Sequence, residues 1–242
     1  MFFGDYSCVA ARVLAFARQV MLVALLLFAL GRGAEAAEPP RSLSYHATLL
    51  NGAITGSAFM IADGVAVTNA HVLGRRGIGE VVTLLAPGKP RGTARILAIS
   101  PRMDLAILSI DPDLLPVAPA GRARDARGDP IYAVGIVADG NPRRRLVISG
   151  TVASERRTLA PFGRGVIASM PRVKRGFSGG PVFDRNGQLV GMVAALREGR
   201  EDNRRTREAF ILSADAIRAE VSRLKPALYS AHNARNDLSL IR

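Results

Sequence analysis

Residues 65–71 read VAVTNAH, a short strand of β-branched and small apolar residues that ends on a histidine. Similar segments recur on both sides of it, separated by Gly, Pro, Asp and Asn. Short strands at nearly even spacing predict a β-sandwich or β-barrels rather than alternating strands and helices. The predicted strands are Ser44–Leu50, Ala53–Ala62, Val65–Thr68, Val81–Leu85, Ala94–Ser100, Leu105–Ile110, Ile131–Val137, Leu146–Ser154, Gly165–Met170, Pro181–Phe183, Leu189–Leu196 and Ala209–Leu212.

A stretch that contains Pro and Arg, Asp111–Asp129, divides these strands into two sets of six. Two closed barrels would leave no exposed sheet edge. Near the end, Ser213 suits a helix N-cap, and Ile217 and Val221 recur at helical spacing before Pro226. We therefore predict an all-β chain of two six-stranded antiparallel β-barrels with a C-terminal α-helix. The expected segments are an N-terminal barrel at 37–112, an inter-barrel linker at 113–128, a C-terminal barrel at 129–212, the helix at 213–225 and a tail at 226–242.

The N-terminal segment has the order of features that a secretory signal requires. Arg12 and Arg18 precede an apolar run, Val20–Leu30, and a triplet of small-x-small type, AEA at 34–36, follows it. The pattern predicts a signal peptide at 1–36, cleaved near Ala36, and a periplasmic or secreted protein. An uncleaved membrane anchor is the alternative, although the apolar run is short for a helix that spans a bilayer.

The formal net charge is +13, which favours association with anionic surfaces or acidic substrates. Nucleic acid is the rival partner for so basic a chain. The basic residues are spread over several loops, however, and aromatic residues make up only 5% of the chain. We therefore expect a solvated basic surface without a specific nucleic-acid site. The histidines are scattered and the single cysteine, Cys8, would leave with the signal, so we expect no metal and no cofactor.

Three residues indicate nucleophilic chemistry. The stretch GFSGGP, at 176–181, places Ser178 between glycines, which can expose its hydroxyl and direct successive N–H groups at one point. A serine needs a base, and His71 follows an apolar strand in the first half of the chain. Asp104 begins another apolar strand, where a carboxylate is costly to bury without a partner such as an imidazole N–H. Taken singly, each has an ordinary reading: a tight turn, a structural histidine and an aspartate that starts a strand.

The order of these residues along the chain, His then Asp then Ser, is that of chymotrypsin-like enzymes. GSAF at 56–59, TNAHV at 68–72, DLA at 104–106 and GFSGGP at 176–181 together resemble the trypsin-like serine peptidases of the bacterial HtrA/Deg type. The resemblance extends from about Ser44 to Leu224. We expect no PDZ domain in this chain, because the residues beyond Leu224 are too few to form one.

This resemblance implies a double-barrel serine endopeptidase. By it, Ser178 attacks the scissile carbonyl, His71 transfers the proton and Asp104 orients the imidazole. The N–H groups of Gly176 and Ser178 would form the oxyanion hole. Related proteases often form trimers through N-terminal segments, which makes a homo-oligomer a candidate assembly.

Some positions depart from the pattern of these relatives. Phe177 stands where the family carries Asp or Asn, so its ring either holds the loop in place by packing or holds it collapsed. The resemblance assigns substrate binding to Arg172, Ala194, Ala195 and Leu196. Ala194 replaces a serine that digestive relatives place near the catalytic carboxylate. Leu196 stands where deep pockets have glycine, which predicts a shallow site that prefers small aliphatic residues before the cut. Arg172 and its basic neighbours favour acidic residues there instead. A third reading is that these side chains point to solvent and do not select the substrate.

We therefore predict a serine endopeptidase that hydrolyses peptide bonds in proteins through an acyl-enzyme intermediate, in the quality control or processing of exported proteins. One alternative is an inactive trypsin-like scaffold that binds peptides, which Phe177 favours. The other is a basic protein that binds anionic surfaces. The stretch Arg197–Glu208 is densely charged with both signs. The resemblance implies a specificity or regulatory loop near the active site, whereas the composition favours a mobile, solvated loop.

Overall fold

The computed structural model of the chain describes Met21 and residues 42–137, 144–201 and 204–224. The chain divides into two units, Met1–Ala37 and Glu38–Arg242. The first unit contributes only Met21 to the described residues. The predicted signal peptide at 1–36, apart from Met21, and the predicted tail at 226–242 lie outside the described residues. In the described part of the chain, no helix has the length and apolar character that crossing a membrane requires.

Six antiparallel strands form the first barrel, which closes in the order β1-β2-β3-β6-β5-β4. These strands are β1 (Ala47–Asn51), β2 (Ile54–Ala62), β3 (Val65–Thr68), β4 (Val81–Leu85), β5 (Gly92–Ile99) and β6 (Ala106–Ser109). Alternate residues of β5 are buried, as expected for a strand with one face on a core. The inward face of the barrel includes Leu49, Leu84 and Ile96, which are 0% exposed. The six strands predicted for this half are confirmed.

Seven strands form the second sheet. They are β7 (Pro130–Val137), β8 (Arg144–Val152), β9 (Arg157–Leu159), β10 (Gly163–Ser169), β11 (Pro181–Asp184), β12 (Leu189–Glu201) and β13 (Arg204–Ser213). Their order is β13-β12-β11-β7-β8-β10-β9, and the pairing of β13 with β10 closes a ring of six strands. The seventh strand, β9, pairs with the start of β10. All three residues of β9 are exposed, so it has no inward apolar face that the sequence could reveal.

The described residues of the charged stretch Arg197–Glu208 form strands rather than the mobile loop that its composition predicts. Its flanks extend β12 and β13 into a hairpin in which Arg197 faces Glu208 and Glu198 faces Arg207. Each facing pair forms an ion pair, at 2.7 Å for Arg197–Glu208 and 3.1 Å for Arg207–Glu198. Opposite charges on facing strands stabilise a sheet. The mixture of positive and negative side chains therefore reflects ion pairs between the two strands of the hairpin.

A helix follows β13 and is described over 214–224. The Ser213 hydroxyl accepts a hydrogen bond from the Ala216 N–H at 3.3 Å, as an N-cap does. On the same helix, the buried carboxylate of Glu220 accepts hydrogen bonds from the Ser100 hydroxyl at 2.5 Å and from Arg223. The bond from Arg223 is the largest of the effects that lower the pKa of Glu220. The helix thereby holds the turn that precedes Asp104 in the chain.

Candidate active site

The two barrels share a cleft of about 800 Å³. Its walls come from both halves of the fold and include the turn that leads to Asp104. The lining residues are Ile54, Thr55, Ala70, His71, Val72, Ser100, Pro101, Arg102, Met103, Asp104, Pro161, Phe162, Arg175, Gly176, Ser178, Ala194, Ala195 and Leu196. The three residues selected from the sequence, His71, Asp104 and Ser178, thus lie in one cleft.

His71 and Asp104 form a close pair at this cleft. The Nδ1 atom of His71 lies 2.6 Å from Oδ2 of Asp104, and the backbone N–H of His71 donates to Oδ1 at 3.0 Å. The carboxylate is 8% exposed, while half of the histidine side chain is exposed. Because a carboxylate only accepts hydrogen bonds, a neutral His71 ring in this contact carries its proton on Nδ1, which leaves Nε2 as an acceptor. The pair therefore has the tautomer that a general base needs.

Local structure explains where these two residues lie. Strand β3 ends at Thr68, and Ala70–Leu73 then forms a 3₁₀ turn that places His71 beyond the strand. The buried Asn69 side chain donates to the backbone carbonyl of Asp104 at 2.9 Å. This bond connects the end of β3 to the start of β6, so neighbouring strands hold His71 and Asp104.

The loop before β11 carries Ser178 and contains a tight turn. The N–H of Phe177 donates to the carbonyl of Lys174 at 3.3 Å, and Gly176 has a φ of +99°. A positive φ at the third position is the geometry of a type II turn and favours glycine. A Cβ atom at Gly176 would collide with the carbonyl oxygen of Ile136. This position therefore requires glycine on two independent grounds.

The N–H groups of this loop divide into two sets. Those of Phe177, Gly179 and Gly180 donate to the carbonyls of Lys174, Val193 and Phe177. Those of Gly176 and Ser178 donate to no acceptor among the residues that the structure describes. The loop thus leaves unused the two donors that the resemblance assigns to an oxyanion hole.

Ser178 is partly exposed and lines the cleft. Within the described part of the chain, no hydrogen bond joins its hydroxyl to the His71 ring or to another group. Hydrogen bonds of this kind are often long in proteins without substrate and shorten when it binds.

The Phe177 side chain lies in the core and does not line the cleft. It is 0% exposed and belongs to the apolar core of the second ring. It packs so closely over Gly135 that a Cβ atom there would collide with the ring. Of the two roles left open for Phe177, this packing favours the one in which the ring holds the loop in place.

Three of the four predicted substrate-binding residues line the cleft. Ala194, Ala195 and Leu196 line the cleft, whereas Arg172 is exposed and is absent from the lining. Arg175, nearer to Ser178 in the chain, lines the cleft instead. The register between β12 and β13 shifts between Val193 and Ala195. A bulge of this kind redirects side chains, and here it falls at the cleft wall.

Sequence reasoning missed a buried pair, His46 and Ser57, both 0% exposed. His46 Nε2 lies 2.8 Å from Ser57 Oγ, and Ser57 Oγ donates to the carbonyl of Gly176 at 2.7 Å. Burial, and then the positive charge of Arg145, lower the pKa of His46 from 6.5 to about 3. A histidine inside a predicted strand and a serine beside a glycine are too common in sequences to have indicated this contact.

We expect the buried His46 to make the fold sensitive to acid. Because its pKa is lowered on folding, the unfolded chain takes up a proton below pH 6.5 that the native chain takes up only near pH 3. Stability is therefore fully present above about pH 6.5 and falls as the pH decreases towards 3, by up to about 1.4 kcal/mol per pH unit from this group. Urea unfolding of wild type and His46→Gln at pH 7, 5 and 4 should show a shallower pH dependence in the variant. Parallel curves would exclude His46 as the cause.

No group of three or more His, Cys, Asp or Glu side chains is placed to hold a metal ion within 42–137, 144–201 and 204–224. The polar groups that line the cleft include the Ser178 hydroxyl, the His71 imidazole with the Asp104 carboxylate, and the side chains of Arg102 and Arg175.

Comparison with solved structures shows the fold. A crystal structure of the Rv3671c protease in an inactive form covers 77% of this chain and 97% of that chain, with a TM-score of 0.57 and 23% identity. The serine endoprotease of Yersinia pestis covers 78% of this chain and 64% of that chain, with a TM-score of 0.58 and 20% identity. The double-barrel trypsin-like fold predicted from the sequence is therefore confirmed.

Sequence comparison gives the family. The probable periplasmic serine endoprotease DegP-like of Halomonas elongata is 33% identical over 149 residues, which are 58% of this chain and 29% of that protein. Serine protease HTRA2, mitochondrial, of Bos taurus is 32% identical over 146 residues, which are 57% of this chain and 30% of that protein. The chain thus spans about three tenths of the length of the curated relatives it matches. A family model described as a trypsin-like peptidase domain matches residues 56–192, more than half of the chain, and this protein belongs to that family.

Proposed function

We propose that this protein is a serine endopeptidase whose catalytic residues are Ser178, His71 and Asp104. The observation that carries the proposal is the contact between His71 and the buried Asp104, with 2.6 Å between Nδ1 and Oδ2, in the same cleft as a serine hydroxyl that makes no hydrogen bond to another described group. Family membership and relatives named as serine endoproteases support it.

In this mechanism Ser178 Oγ attacks the scissile carbonyl carbon while His71 Nε2 takes the hydroxyl proton. The tetrahedral intermediate then collapses, the peptide C–N bond breaks, and His71 returns the proton to the leaving amine. Water repeats the sequence on the acyl-enzyme, with His71 again acting as base. Asp104 keeps the proton on Nδ1 and stabilises the positive imidazolium through the 2.6 Å contact.

The oxyanion of the intermediate would lie against the N–H groups of Gly176 and Ser178. The loop leaves these two donors without partners among the described residues, which is what an oxyanion hole requires. One such donor is worth about 2.7–4 kcal/mol of transition-state stabilisation. The positive φ of Gly176 and the buried Phe177 ring supply the rigidity on which that stabilisation depends.

An inactive peptide-binding scaffold is the second candidate. The missing hydrogen bond between the described Ser178 and His71 side chains favours it. The unused N–H pair and the intact His71–Asp104 contact favour the enzyme.

A fluorophosphonate probe separates the two candidates, because it reacts with an activated serine hydroxyl. We expect wild type to be labelled and Ser178→Ala not to be. Absence of labelling in wild type, together with absence of casein cleavage, would reject the enzyme and leave the scaffold.

We propose that the cleft accepts small aliphatic residues before the cut. Ala195 and Leu196 line the cleft and would leave room only for a small side chain. Arg175 also lines the cleft, so a preference for acidic residues is the competing proposal. Leu196→Gly should widen the site and shift kcat/KM by about tenfold in favour of phenylalanine over alanine at this position. Cleavage of a peptide library by wild type and variant measures the shift. A wild-type preference for large aromatic or basic residues would contradict both proposals.

We further propose that the protein acts on exported proteins. The signal-like pattern at 1–36 and relatives named as periplasmic endoproteases support this location. Unfolded exported proteins are the proposed substrates, with quality control or processing as the role. Self-association and binding to anionic surfaces remain proposals that rest on the resemblance and on the net charge of +13.

A further inference from the structure

Ser57 bonds the loop of Ser178 on both sides of Phe177. Its hydroxyl donates to the carbonyl of Gly176 at 2.7 Å, and its backbone N–H donates to the carbonyl of Ser178 at 2.9 Å. The carbonyl of Ser57 itself accepts from the Thr68 hydroxyl at 2.7 Å. Strand β2 of the first barrel therefore holds a loop of the second, through a residue that is 0% exposed.

The available protons determine which atom donates in each hydrogen bond that connects His46, Ser57 and Gly176. Ser57 has one hydroxyl proton, and the carbonyl of Gly176 can only accept, so that proton lies between them. Ser57 Oγ must then accept from His46, which places the His46 proton on Nε2. The buried Nδ1 of His46 has no hydrogen-bond partner in the described part of the chain, which agrees with a neutral ring. The order is His46 Nε2–H to Ser57 Oγ–H to the carbonyl of Gly176.

This carbonyl belongs to the peptide that follows Gly176, and its orientation governs the loop. Glycine allows the peptides around it to rotate at low cost, so the residue that makes the turn possible also makes it easy to lose. A fixed carbonyl on Gly176 keeps the N–H of Phe177 on Lys174 and thereby keeps the turn closed. The unused N–H of Gly176 is part of that turn.

We propose that His46 and Ser57 are positioning residues that hold the oxyanion loop in its active orientation from the first barrel. The inference rests on the proposed peptidase function, and neither residue lines the cleft. His46 acts indirectly, because its donation to Ser57 orients the Ser57 hydroxyl towards the carbonyl of Gly176. Neither residue touches the substrate or the reacting atoms in this account.

The test compares full-length wild type, Ser57→Ala, His46→Leu and His46→Gln, whose amide can replace the Nε2 donor. We expect Ser57→Ala to lower kcat about 10- to 100-fold with KM within about twofold, because a misplaced donor weakens transition-state binding alone. A peptide aldehyde, which mimics the tetrahedral adduct, should bind weaker by the same factor, whereas the product peptide should not. His46→Leu should follow Ser57→Ala, and His46→Gln should recover most of kcat. Thr48→Val, which removes a buried hydroxyl from β1, is the matched control and should leave kcat unchanged.

Unchanged kcat in a folded Ser57→Ala protein would overturn the inference and leave the peptidase intact. Equal weakening of aldehyde and product peptide would also overturn it, since that indicates a general loosening of the site. If Ser57→Ala does not fold, the contrast between His46→Gln and His46→Leu decides, and equal kcat in those two variants rejects the role. A wild type without turnover would reject the proposed function, and the inference with it.

Discussion

Replacing Ser178 with alanine should lower kcat for peptide hydrolysis by about a millionfold, to a residual rate set by binding and the oxyanion donors. The hydroxyl makes no hydrogen bond to another described group, so its removal should leave the fold intact. The N–H of residue 178 is kept in alanine, so the loss measures the nucleophile alone. Hydrolysis of a fluorogenic peptide, beside a thermal unfolding curve, checks both expectations.

Ser169→Ala is the matched control, since Ser169 is an exposed serine at the end of β10. We expect its kcat to equal that of wild type. A Ser178→Ala protein that retains more than about a thousandth of the wild-type kcat would exclude Ser178 as the nucleophile.

Replacing Asp104 with asparagine should lower kcat about ten-thousandfold. The N–H of His71 now donates to Oδ1 of Asp104, and in asparagine the amide oxygen would take that position. The amide NH₂ would then face Nδ1 of His71 and force the ring proton onto Nε2. An imidazole in that tautomer cannot accept the proton of Ser178.

Measurement of kcat in Asp104→Asn and in Asp113→Asn, an exposed control carboxylate, tests this. The control should match wild type. A loss smaller than about tenfold in a folded Asp104→Asn protein would show that the carboxylate does not set the tautomer.

Much of the fold follows from the sequence because both barrels are built from strands with one buried face. β3 and β6 could be predicted from runs of apolar residues bounded by Gly, Asp and Asn. β9 could not, because Arg157, Thr158 and Leu159 are all exposed and only the pairing with β10 makes them a strand. The hairpin at Arg197–Glu208 was hidden for a related reason, since its stabilising pairs join residues on opposite strands.

Some residues of the candidate site could likewise be predicted from the sequence, whereas others could not. His71, Asp104 and Ser178 could be selected because each stands at the end of a strand or between glycines, and the resemblance connects them. The bond from Ser57 to Gly176 spans 119 positions in the chain and has no local pattern. The packing of Phe177 over Gly135 likewise depends on which face of the loop meets the second ring. Arg172 could not be placed, since only the course of the loop decides that Arg175 rather than Arg172 lines the cleft.

One double-mutant cycle tests whether an imidazole of one barrel and a hydroxyl of the other act as a unit. It compares kcat for a single peptide in wild type, His71→Ala, Ser178→Ala and the double variant. We predict that each single variant loses nearly all activity and that the double variant is no slower than Ser178→Ala. Losses that multiply, or a His71→Ala protein that cleaves as fast as wild type, would contradict the account.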